Sequence, residues 1–97
     1  MWRPADKYIS QQNPPDFKWE KVEDAVSYDL KIYTENGNIA YEKIGITDNY
    51  YNFSHTFDTG VNYYWTVKYN MADGESDWST RRRFRIDPDA YEFTVPE

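Results

Sequence analysis

The stretch "NYYWTVKYN", residues 62–70, constrains this chain most. Tyr63, Trp65, Val67 and Tyr69 share one parity, and Tyr64, Thr66 and Lys68 share the other. Successive side chains leave an extended strand on opposite sides, so this spacing predicts a strand with one row of bulky groups turned inward. Such a row needs a second layer to cover it. Aromatic residues make up 20% of the 97 residues, while leucine occurs once, at Leu30. The interior must therefore be built from rings and β-branched groups, the residues that suit a pleated surface.

The rest of the chain reads the same way. Pro14-Pro15 bars a helix and leads into "DFKWE", where Phe17 and Trp19 alternate with Lys18 and Glu20. "AVSYDLKIYT" sets Val26, Tyr28, Leu30 and Ile32 on one face and Ser27, Asp29, Lys31 and Tyr33 on the other. Asn36-Gly37 supplies the positive φ angles of a tight hairpin. "IAYEKIGI" returns with a less regular alternation, as an edge strand does, with Lys43 as an edge guard. "NYYNF" reads as a short strand, "DTG" as a corner and Asp73-Gly74 as a second hairpin. "RRRFRI" is the last strand, with Phe84 and Ile86 inward. About seven short strands at this spacing predict an all-β, seven-stranded antiparallel β-sandwich over residues 1–87. "DPDAYEFTVPE", carrying Pro88 and Pro96, makes residues 88–97 a linker toward a following domain.

These residues resemble fibronectin type III domains. "FKW" resembles the second strand with its buried Trp19, and "AVSYDLKI" the third with Tyr28 as core aromatic. "FDTGVNYYWTV" resembles the family's Leu-x-Pro-Gly-Thr-x-Tyr run, with Phe57 in the leucine place, Thr59 in the proline place and Tyr63 as the corner tyrosine. The resemblance implies an immunoglobulin-like topology, a core around Trp19, Tyr28, Tyr63 and Trp65, and a Tyr63 hydroxyl tied to backbone upstream. The Asn-Pro-Pro, Tyr-Tyr-Trp and Ser76-x-Trp78-Ser79 elements together also resemble the amino-terminal module of bacterial heparinase II/III-like polysaccharide lyases. That likeness implies an exported parent, extracellular or periplasmic, acting on acidic polysaccharide. Its catalytic residues would lie in another domain, so none is assigned here.

Charge and composition exclude several classes. A net charge of −6 argues against nucleic acid as a partner, since such binding rests on neutralising phosphates. Without cysteine there is no disulfide framework and no thiolate metal site. No stretch approaches the ~20 apolar residues of a membrane span. Met1-Trp2-Arg3-Pro4 lacks the apolar segment of a secretory leader, so the chain is either a cytosolic protein or one piece of a longer protein, and the second reading is preferred. No cofactor motif is present.

His55, the single histidine, has no second histidine or cysteine with which to form a metal site or a nucleophile pair, and reads as a loop residue. The acids of "DGESD", residues 73–77, lack the ligand spacing of a calcium loop and read as a solvated hairpin tip. In "RRR", residues 81–83, only Arg81 and Arg83 fall on one face of a strand, with Asp29 or Lys68 as neighbours to pair or stack. Trp78 in "SDWS" resembles the second half of a Trp-Ser-x-Trp-Ser box, with Lys68 and Arg81 as cations for its ring. Tyr33, Tyr41, Tyr50, Tyr64 and Trp2 remain as outward aromatics. Tyr33, Tyr64, Arg81 and Arg83 are the surface candidates for docking or glycan binding. A short, Pro-bounded linker favours docking against an adjacent catalytic domain. The chain is thus expected to be a non-catalytic accessory module, monomeric in isolation. The alternatives are a binding module for acidic glycans and a cell-surface adhesion module.

Overall fold

A computed structural model describes residues 2–88 of the chain. The expected linker thus lies almost wholly outside the described residues. No helix occurs among them, and the fold is all-β. Eight strands form: β1 (Tyr8–Ser10), β2 (Phe17–Lys18), β3 (Ser27–Thr34), β4 (Ile39–Ile46), β5 (Tyr50–Tyr51), β6 (Asn62–Met71), β7 (Gly74–Glu75) and β8 (Arg82–Ile86). The larger sheet runs in the order β1-β8-β6-β3-β4, with β7 paired to the far end of β6. β2 and β5 make a second, two-stranded sheet. The arrangement fits a β-sandwich.

One pairing departs from an all-antiparallel plan. β1 runs parallel to β8, with Tyr8 beside Phe84 and Ser10 beside Ile86. The chain first touches the small sheet, where Arg3 and Lys18 exchange backbone hydrogen bonds of 2.8 and 2.9 Å. It then turns through Lys7, at φ +68°, and crosses to β8. Without this crossing β8 would present a free row of backbone donors and acceptors. The sheet is mixed for that reason.

Rings hold the layers together. Phe17 of β2 meets Phe53, Trp65 and Phe84 at centroid distances of 5.3 to 5.5 Å and interplanar angles of 78 to 86°. Edge-to-face contacts of this kind contribute about 0.5–1.5 kcal/mol each beyond the area they bury. Phe17 thereby joins the small sheet to β6 and β8. Trp65 is fully buried, and its ring N–H donates to the Pro4 carbonyl at 3.2 Å. The buried hydroxyls are also used: Tyr28 accepts from the Val22 N–H at 2.9 Å, and Tyr63 from the Asp58 N–H at 3.0 Å. Trp19 lies buried between Tyr28 and Trp65.

Parity fails at four places. Val26, grouped with the inner row, is 59% exposed because β3 begins only at Ser27. Tyr69, at the far end of its row, is half-buried. Thr66 and Asp29, on the outer parity, are buried. The Thr66 hydroxyl donates to the Ser79 carbonyl at 2.6 Å, under the segment 76–79. Asp29 accepts from the Gly45 N–H at 3.1 Å and from the Asn70 amide at 3.2 Å. The irregular alternation of β4 also has its cause. Its register against β3 shifts twice, and Gly45, at φ +75°, sits at the first shift. A bulge residue in the left-handed region suits glycine.

Candidate functional site

The open face of the larger sheet carries the surface candidates. Because Leu30, Ile32, Tyr63, Trp65, Phe84 and Ile86 are buried, their neighbours Tyr33, Tyr64 and Arg83 must point the other way. Register places them side by side. Tyr33 of β3 pairs with Tyr64 of β6, and Tyr64 pairs with Arg83 of β8. Ile39 of β4 pairs with Tyr33 and extends the row. Arg81, one residue before β8, lays its guanidinium over the Tyr33 ring at 4.1 Å. All four candidates therefore share one face.

Two carboxylates reach this region, and both are engaged with backbone. Asp6 accepts from the Arg83 N–H at 2.8 Å, and Glu35 from the Asn62 N–H at 3.3 Å. Lys68 forms ion pairs with Glu75 and, at 3.8 Å, with Asp29. Asp29 and Lys68 thus pair with each other and not with the arginines, a correction to the sequence reading.

Lys68 also helps hold Trp78. The ring lies under two ammonium groups, Lys31 at 4.6 Å and Lys68 at 5.2 Å. Arg81, named for that role from the sequence, is occupied by Tyr33, and Lys31 takes its place. The serines flanking Trp78 act on β6. The Tyr69 N–H donates to the Ser76 hydroxyl at 2.9 Å and the Val67 N–H to the Ser79 hydroxyl at 3.1 Å. In return Ser76 N–H donates to the Tyr69 carbonyl and Ser79 N–H to that of Val67, each at 2.9 Å. The segment 76–79 thus extends the sheet where β8 does not reach.

The other outward aromatics do not join the row. Tyr41 pairs with Ile32 and turns onto Phe53 and Phe57, its hydroxyl donating to the Thr56 carbonyl at 3.2 Å. Tyr41 is therefore not an outward ring, a correction to the sequence reading: between the two register shifts of β4 it falls opposite the inward Ile32. Tyr50 lies on the small sheet opposite Lys18. Trp2 sits at the end of the sandwich, with the Arg82 guanidinium 4.0 Å above it and Trp65 at 5.7 Å. This Arg82 contact escaped the sequence reading, although Arg82 shares parity with the inward Phe84.

His55 is exposed and stacked on Tyr41 at 5.1 Å. Among the described residues no group of three His, Cys, Asp or Glu side chains is arranged to hold a metal ion. Two clefts flank Trp2. One, of about 390 Å³, lies among Trp2, Pro4, Tyr8 and Pro15. The other, of about 240 Å³, has Trp19, Tyr28 and Val67 among its walls. The Trp19 ring N–H is the one buried side-chain donor without a partner among the described residues.

Two groups have shifted proton affinity. Burial pushes the Tyr63 hydroxyl above its ordinary value of 10.0. The hydrogen bond to Glu75 raises the Lys68 ammonium above 10.5. Neither lies on the row of Tyr33, Tyr64 and Arg83. No protein-family model matches the chain, and no curated protein matches it.

Proposed function

We propose that this chain is a non-catalytic accessory module of a secreted polysaccharide-degrading enzyme of the heparinase II/III-like kind. On this reading it packs beside a catalytic domain in the extracellular or periplasmic space and contributes a working surface, not reacting groups. The observation that carries the reading is the open row of Tyr33, Tyr64 and Arg83, with Arg81 folded onto it. Tyrosine and arginine are the residues that interfaces favour, and here they occupy the outward side of the larger sheet. The strand order β1-β8-β6-β3-β4 facing β2-β5 supports an immunoglobulin-like sandwich of fibronectin type III kind. So does the Tyr63 hydroxyl bound to the backbone at Asp58.

The decisive test is the coding sequence beyond Glu97, followed by expression of the parent with and without this module. A following catalytic domain whose activity on acidic polysaccharide falls when the module is removed, or when Arg81 and Arg83 are replaced, supports the proposal. A continuation into further sandwiches of this kind, as in an adhesin array, would overturn it.

A further inference from the structure

We infer that two copies of this chain pair by trading their opening arms, Trp2–Ser10. Each arm then fills, in the other copy, the groove that it fills in its own molecule. The inference stands apart from the accessory-module reading and rests on how the arm is held.

The groove receives this particular sequence through contacts that are distant along the chain. The Pro4 carbonyl accepts the Trp65 ring N–H at 3.2 Å, and the Asp6 carboxylate accepts the Arg83 N–H at 2.8 Å. The Lys7 N–H donates to the Arg83 carbonyl at 2.7 Å, and the Asp87 N–H to the Ser10 carbonyl at 2.9 Å. Tyr8, Ile9 and Ser10 pair in parallel with Phe84, Arg85 and Ile86. The Trp2 ring rests against Arg82 and Trp65. The groups that receive the arm in these contacts lie between Trp65 and Asp87, with Lys18 opposite Arg3 in addition. None of them requires that the arm belong to the same molecule. An identical arm from a second copy satisfies them equally.

The tie between arm and body is short. Only Gln11 and Gln12 separate Ser10 from Asn13. Asn13 is fixed to the body, its amide donating to the Phe57 carbonyl at 2.8 Å and its side-chain oxygen accepting the Phe57 N–H at 2.9 Å. Pro14-Pro15 then restrict the backbone that follows. To close on its own body the chain bends at those two residues, where the Ser10 hydroxyl accepts the Gln12 N–H at 3.1 Å and donates to the Gln12 carbonyl at 2.7 Å. The arm also packs loosely on the limb that returns to β2, for the walls of the cleft of about 390 Å³ are all drawn from residues 2–16. Opening the hinge therefore gives up the small turn at Ser10 and keeps the bonds between arm and groove. A short hinge favours exchange between molecules. Against it stands proximity, since a tethered arm acts at an effective concentration in the millimolar range. The dimer should therefore form as the chain itself approaches that concentration.

The test uses the full chain, sized by light scattering at about 1 mM and at about one-hundredth of that. The expected result is a monomer in the dilute sample and a dimer fraction in the concentrated one. Deleting Gln11 and Gln12 removes the turn, and this variant should be dimeric at both concentrations. Its Trp65 ring N–H resonance should keep the wild-type chemical shift, because a traded arm still presents the Pro4 carbonyl. A staple gives the converse. Ile9 and Arg85 sit side by side on β1 and β8, and the chain has no cysteine of its own. Ile9→Cys with Arg85→Cys, oxidised while dilute, should stay monomeric at about 1 mM, and reduction should restore the dimer. A wild-type chain that stays monomeric at about 1 mM, a dimer that survives the oxidised staple, or a folded hinge deletion that stays monomeric would each overturn the inference. If the deletion unfolds the chain, the wild type and the staple decide alone.

Discussion

At the scale of single residues, Tyr63 concentrates several effects. Its ring stacks on Phe84 at 5.5 Å, and its hydroxyl accepts the Asp58 N–H. Tyr63→Phe should keep the ring contacts and leave that donor without its acceptor, costing about 1 kcal/mol in denaturant unfolding. The same hydroxyl gives a pH dependence. Burial raises its pKa, so the unfolded chain releases this proton at lower pH than the folded one. Stability from Tyr63 is therefore complete below 10.0 and is lost as pH rises through the higher folded value. Lys68, raised by Glu75, acts in the same direction above 10.5. Unfolding temperatures compared at about pH 9 and about pH 11 should show a fall that is smaller in Tyr63→Phe. Trp65 is among the largest fully buried side chains. Trp65→Ala removes a fully buried ring and leaves a cavity, and should cost about 3–5 kcal/mol by chemical denaturation.

At the scale of elements, segment 76–79 does the work of a strand through two hydroxyls. Ser76→Ala and Ser79→Ala should each cost about 1 kcal/mol, and should speed hydrogen exchange at the Tyr69 and Val67 amides respectively. Trp78→Ala should lose two cation–π contacts worth about 0.5–1 kcal/mol each, without altering those amides. Strands were legible in the sequence wherever alternation was uninterrupted: burial follows parity at Tyr63, Trp65 and Val67, and at Tyr28, Leu30 and Ile32. Legibility ended where the period broke. In β4 two register shifts put Tyr41 inside against its apparent parity. Thr66 and Asp29 were hidden by partners distant in the chain, Ser79 and Gly45, which no local pattern announces. The surface row was legible for the same reason as the core, since inward neighbours dictate outward ones. Which cation would sit on which ring was not legible, because that depends on cross-strand register.

At the scale of the whole molecule, the two sheets are very unequal, and the small one contributes few backbone bonds. Its attachment relies on Phe17 and on the path of the first ten residues, which pair with β2 at Arg3 and with β8 from Tyr8 onward. Pro4 lies between these pairings and accepts the Trp65 ring N–H from 61 positions away. Anyone transplanting this domain into another polypeptide must therefore carry its opening handful of residues along. A boundary drawn just after Ala5 would strip the acceptor from the central tryptophan, and one drawn after Ser10 would also bare the flank of β8 to strand exchange between neighbouring copies.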